Sequence, residues 1–477
     1  MRTATLVLAM LSAASANDYW VGPQGNDANP GTQAQPFRQI SRAITVAGAG
    51  DTVHVLDGTY AGGLVIQKTG TAAAPFVVKA EGSGVVVSPG GTDTIFVTYS
   101  AYVVLEGLRS FNANRAAVRI DNSHHVTVRN GVFGNNARWG IFTDFSDDLL
   151  LENNECYGSG LEHGIYVSNS GDRPVVRGNV AHGNNACGIQ LNADLSMGGD
   201  GTISDAVIER NVVYGNGAGG GAAINLDGVA TSVIRNNLLY DNHANGITLF
   251  QIDGALASSN NAVVNNTIEV ASDGRWAIHV GAGASGNVIF NNILLTKHAS
   301  RGSLHFEDLA SSTGTVSDYN VFTVNPNAVT ADDDASYLTL TQWKAMGYDA
   351  HSFASTPGAV YGGDHRLIAG SPAIDAGVGA LGGKIAPTDD LDGGARTDGA
   401  LDVGADEVGA GSAPAPAAPA NETGGGGGGG CGMVGLEALL VLALLSRRQR
   451  LARLLRVSVV PGCSGPGSRS LIARDGR

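Results

Sequence analysis

Arginine, histidine, tyrosine and carboxylate side chains fall at fixed places in eight short, similar segments. These are AVRID (117–121), GIFTD (140–144), GIYVS (164–168), GIQLN (188–192), AINLD (223–227), GITLF (246–250), AIHVG (277–281) and SLHFE (303–307). Between the two apolar residues of each segment stand, in turn, Arg119, Phe142, Tyr166, Gln190, Asn225, Thr248, His279 and His305. Two places later stand Asp121, Asp144, Ser168, Asn192, Asp227, Phe250, Gly281 and Glu307. Arg138, Trp139, His163 and Trp276 precede the segments.

In an extended segment the apolar pair faces one way and the intervening residue the other. Stacking the segments in parallel therefore aligns the intervening residues into a polar and aromatic column. His163 and Tyr166 are the candidate base and acid for moving a proton, with Arg138 beside them as a third catalytic candidate. Arg119, Arg138, or a Ca²⁺ ion held by Asp121 and Asp144, can neutralise a carboxylate on a substrate. Arg119, Asp144, Gln190, Asn192, Asn225, Asp227, Trp276 and His279 form the candidate binding set, in which amides and carboxylates meet hydroxyl groups and aromatic rings stack on sugars. Asp121 and Asp144 on adjacent layers, about 4.8 Å apart, also approach the ~5–5.5 Å pairing of retaining glycosidases. His279, His305 and Glu307 form a further candidate metal group.

Each segment is followed by a second apolar run, such as VTVRNGVF, LLLENNEC or VIRNNLLY, at a period of roughly 23–26 residues. Units of two or three short strands cannot bury a face alone but can when stacked. The pattern resembles the right-handed parallel β-helix repeats of secreted, pectate-lyase-like carbohydrate-active proteins. The resemblance implies an all-β, right-handed parallel β-helix, a single-stranded solenoid, with a short N-terminal capping helix. Asn154, Asn179, Asn211, Asn237, Asn266 and Asn292 hold equivalent places before the second run, which predicts a stacked amide ladder. Asn135, Asn184, Asn216 and Asn242 predict a second, more exposed one. The insertion ADLSMGGDGTISDA (193–206) is expected to wall a cleft beside His163 and Tyr166.

Residues 1–16 read as a secretory signal, with Arg2, an apolar run and Ala14-Ser15-Ala16. Residues 17–60 read as cap and entry strands, with Phe37, Ile40 and Ile44 on one helix face. The solenoid is expected over 61–325 and a C-terminal module over 326–409. SPAIDAG and DLDGGARTDGALDVGADE resemble the choice-of-anchor Q module. Residues 410–430 are an Ala/Pro/Gly linker. Residues 431–456 resemble a bacterial C-terminal sorting signal, which implies contact with sorting or cell-envelope machinery, and 457–477 form a further tail.

Between positions 17 and 430 lie 20 basic and 41 acidic residues, a surface that repels nucleic acid. Four cysteines form no disulfide framework. The expectation is a monomeric secreted or cell-surface protein that binds, and cleaves by β-elimination, an acidic extracellular polysaccharide. A surface-attached glycan-binding or structural β-helix without catalysis is the alternative.

Overall fold

A computed structural model describes residues 16–409, except 325–328, 332–335 and 397–399. The linker, the sorting-type segment, the tail and nearly all of the signal lie outside the described residues.

The strands stack in parallel into three sheets of 12 strands each. The first sheet carries the eight segments from AVRID to SLHFE. The second carries runs such as His124–Arg129 and Val233–Arg235, and the third runs such as Glu155–Tyr157 and Leu238–Asn242. Each turn of chain visits the three sheets in that order. This is a parallel β-helix. The stack extends beyond the expected 61–325: Asp18–Val21 pairs with Thr52–Val55, and Phe353–Ser355 closes the third sheet. The helix Ile40–Val46 seats Ile40 and Ile44 in the core together with Phe37, shielding the first turns from water as a solenoid end requires. At the other end, Thr339 and Gln342 cap the helix Leu340–Ala345 reciprocally, and Trp343 is buried.

The pairs Ile141/Thr143, Ile165/Val167, Ile189/Leu191 and Ile224/Leu226, apolar but for Thr143, point inward at zero exposure. The asparagine ladder is continuous. From Asn154 to Asn292, each side-chain oxygen accepts from the backbone N–H of the residue one layer below. Asn320 adds a seventh rung. In the Asn-Asn pairs the work is divided. The first member bends the chain at positive φ (Asn153 53°, Asn236 52°, Asn265 52°, Asn291 56°), which asparagine tolerates. The second is the rung. The ladder stops at Gly131, where a Cβ would lie 2.4 Å from the Phe133 ring.

The second ladder differs from expectation. Asn184, Asn216 and Asn242 are linked and buried rather than exposed, the Ser159 backbone N–H donates to Asn184, Asn136 is buried and accepts separately from the Ala113 N–H, and Asn135 sits outside in solvent.

A column on the outer face of the second sheet alternates in charge: Lys79, Glu106, Arg129, Glu152, Arg177, Glu209, Arg235. Arg129–Glu106 (2.7 Å), Arg177–Glu209 (3.3 Å) and Arg235–Glu209 (2.6 Å) are ion pairs. The segment beyond residue 360 packs on the helix, with Leu391 and Ala405 against Leu238, and Ala386 against Val264 and Phe290.

Candidate active site

Strand register brings the predicted column together. Phe96, Arg119, Phe142, Tyr166, Gln190, Asn225, Thr248, His279 and His305 follow one another layer by layer. Register places them on one face, but neighbouring loops decide what stays open.

The C-terminal half of the column is closed upon itself. Gln190, Asn192 and Asn225 are only 7–8% exposed. The Gln190 oxygen accepts from Asn225 (2.7 Å) and from the Cys187 thiol (3.2 Å). Asn192 donates to Tyr166 Oη (3.3 Å) and Asp253 (3.5 Å). Asp227 departs furthest from a binding role. At 1% exposure, its two oxygens accept the backbone N–H groups of Ile252, Asp253 and Gly254, so it anchors a loop. Trp276 is no open platform either. Its ring is stacked against His305 at 3.7 Å and covered by Arg301. His279 and His305 meet through their Nδ1 atoms at 2.6 Å, and Glu307 accepts from the Ala282 N–H at 2.8 Å.

The insertion packs against a second loop that the sequence reading missed. Leu195–Met197 forms a short 3₁₀ turn capped by Asp194, and the Leu195 N–H donates to Asp253 O. Residues 251–258, held by Asp227, lie beside it, and the two loops expose Leu195, Met197, Ile252 and Leu256. The long coil after GITLF was the available signal.

The N-terminal end is open at Phe96 and Arg119, whereas Phe142 and Asp144 are 8% exposed. A cleft of about 430 Å³ is lined by Val65, Thr92, Asp93, Phe96, Arg115 and Arg119. Arg115 is paired with Asp93. The Arg119 guanidinium lies over the Phe96 ring (4.9 Å) and near Phe142 (5.6 Å). It faces Asp121 at 3.5 Å and Asp144 at 3.4 Å. Burial, reinforced by Asp144, raises the Asp121 carboxyl pKa against the pull of Arg119. The other Asp144 oxygen accepts from Asn169 (2.6 Å). Phe96 was not singled out from the sequence because its segment, TIFVT, lacks the glycine and charge of the others.

Tyr166 lies one layer beyond Phe142 and two beyond Arg119, beside Trp139 and Phe142. Burial pushes its phenol up to about 12, so it stays protonated and can donate. His163 meets it edge-on at 5.1 Å. The expectation that His163 serves as base is corrected by its bonding. Its Nδ1 accepts the Cys187 N–H at 3.1 Å, which fixes the neutral proton on Nε2 and leaves no free lone pair. Burial, with Arg138 adding to it, lowers its pKa to about 3. Arg138 is paired with Glu162 at 2.7 Å and lies over Trp139. Cys156 and Cys187 are both buried free thiols.

Residues 77–196 match a family model described as a right handed beta helix region, which fixes the hand of the solenoid. Over 82 residues the chain is 39% identical to pectate lyase PEL9 of Emericella nidulans, which covers 17% of this chain and 20% of that protein. It is 27% identical over 170 residues to the uncharacterized protein YwoF of Bacillus subtilis, covering 35% of this chain and 29% of that one. The chain thus spans under a third of the curated relatives it matches. The crystal structure of pectate lyase Pel9A superposes with a TM-score of 0.56 at 17% identity, covering 82% of this chain and 97% of that one. A rhamnogalacturonan lyase gives 0.50 at 16%, covering 61% and 84%. These likenesses show the fold.

Proposed function

We propose that this protein acts on an acidic polysaccharide, bound along the first sheet, and cleaves it by β-elimination outside the cell. The observation that carries the reading is the in-register set Phe96, Arg119, Phe142 and Tyr166. It sets a cation between two aromatic rings at an open cleft, two layers from a ring that bears a protonated hydroxyl. A uronate offers the matching features in the same order, a carboxylate on a ring with apolar faces and a leaving oxygen. The lyase names among the similar proteins agree with this class of substrate.

β-Elimination needs the substrate carboxylate neutralised, so that the adjacent C–H becomes acidic, and a proton supplied to the leaving oxygen. Arg119 holds the carboxylate, and its ring contacts fix the guanidinium plane. Tyr166 gives its proton to the leaving oxygen. Asn192 donates to Tyr166 Oη and so turns the phenolic hydrogen outward. Asp121 and Asp144 have the oxygen donors that Ca²⁺ takes, and they would hold the ion beside Arg119, where it would add to charge neutralisation. The C–H proton passes to a water molecule in the open cleft, because the His163 Nδ1 lone pair is held by the Cys187 N–H.

The test is to incubate the purified chain with a panel of uronate and neutral polysaccharides and follow the ultraviolet absorbance of the unsaturated product. Absorbance rising on uronate polymers alone supports the reading. Binding with neither absorbance change nor new reducing ends would leave a glycan-binding role in its place.

A further inference from the structure

The C-terminal segment buries more acid than its arginines balance. Arg396 and Glu407 form an ion pair at zero exposure, and the Arg396 guanidinium also donates to Asn236 of the coil stack (3.1 Å). Beside them, Asp390 is completely buried. One of its oxygens accepts the N–H groups of Asp392 (3.0 Å) and Gly394 (2.7 Å). The other has no hydrogen-bond partner among the described residues and no contact with solvent. A buried carboxylate oxygen without a partner is strongly unfavourable.

One oxygen from each of Asp390, Asp392 and Asp406 lies within 4.8 Å of the others. Arg366 bridges the outer two, donating to Asp392 at 2.7 Å and Asp406 at 3.1 Å, while the second Asp406 oxygen accepts the Leu367 N–H at 2.9 Å. Three carboxylates against one guanidinium leave two negative charges, which equals the charge of one divalent cation. The donors are all oxygen and their spacing is irregular. Ca²⁺ accepts such a set, whereas Mg²⁺ demands a near-ideal octahedron.

We propose that Asp390, Asp392 and Asp406 hold one Ca²⁺ ion. The ion fastens the segment 389–407 onto the coils, where Leu391 and Ala405 meet Leu238. The inference does not depend on the groove or its chemistry.

The experiment is calorimetric titration of Ca²⁺ into the chelator-stripped full chain and into Asp390→Asn, Asp392→Asn and the double variant Asp121→Asn/Asp144→Asn. Thermal unfolding of each is followed with Ca²⁺ and with EDTA. Asparagine at 390 keeps an oxygen for the two backbone N–H groups, and the partly exposed Asp392 provides a second variant should Asp390→Asn fail to fold. The expected result is loss of one Ca²⁺ equivalent in each of the single variants and its retention in the double variant. Ca²⁺ raises the Tm of the parent and the double variant by a few degrees, and that of Asp390→Asn not at all. The proposal is overturned if the parent and double variant bind no Ca²⁺, as expected if Asp390 instead carries a proton, or if the single variants keep full stoichiometry.

Discussion

Replacing Asn237 with alanine removes one rung of the interior ladder. Asn237 donates to Ile208 O (2.9 Å) and Asn266 Oδ1 (2.9 Å) and accepts from the Asn211 backbone N–H (3.0 Å) and Nδ2 (2.9 Å). It has zero exposure, so water cannot take over these contacts without opening the stack. Asn211 Nδ2 still reaches Val176 O, but the Asn211 backbone N–H is stranded. Four bonds at about 1 kcal/mol each, plus about 1–2 kcal/mol for the stranded donor, give a loss of about 5–6 kcal/mol. That is comparable to the whole stability of many domains, about 5–15 kcal/mol. The loss is local, because each coil touches only its neighbours. The assay is urea unfolding followed by circular dichroism, with limited proteolysis to locate the break between the coils of Asn211 and Asn266. Asn114→Ala is the comparison, since Asn114 is exposed and makes one bond, to Gly91 O. A loss at Asn237 of under about 1 kcal/mol, the size of one exposed hydrogen bond, would refute the claim that the amides hold the coils together.

Tyr166→Phe keeps the ring packing and removes the proton donor, so kcat should fall by about 10²–10⁴ at unchanged Tm; an unchanged kcat would remove Tyr166 from catalysis. Arg119→Ala should raise KM for uronate polymers by about 10–100-fold, the effect of one charge-assisted contact of about 1.5–3 kcal/mol, and equal losses on neutral polymers would count against carboxylate recognition. His163 and His305 have pKa values lowered to about 3 and about 4. The unfolded chain therefore binds their protons first, and stability is full above pH ~6.5 and declines as pH falls toward 4; His163→Gln should flatten that decline in a Tm–pH series. Cys156 and Cys187 are separate buried thiols, and burial raises both pKa values. A reductant should accordingly leave Tm unchanged, and native alkylation should be slow by mass spectrometry.

The coil period, the capping helix and the rungs were legible in the sequence because each imposes a local pattern. Ile189 and Leu191 must alternate with Gln190, and Asn179 must recur at the same place in every turn. What escaped the sequence is how the polar column is shared out. Asp227 and Asp144 occupy equivalent positions, yet one ties down residues 252–254 and the other faces Arg119. That difference comes from a loop contributed by the following coil, which no residue in the segment itself announces. His163 is similar. Its role depends on whether its Nδ1 meets a substrate or the Cys187 N–H, and only the stacking of the next layer decides that.

The alternating column from Lys79 to Arg235 makes the number of coils a matter of parity. Excising one coil, for example that of Glu152, would set Arg129 against Arg177. Excising two would set Arg129 against Glu209 and restore attraction. Shortened or lengthened forms of this solenoid should therefore be tolerated in steps of two coils in this stretch. The same parity penalises a nascent chain that skips one layer while winding, because skipping a single layer in this stretch brings like charges face to face.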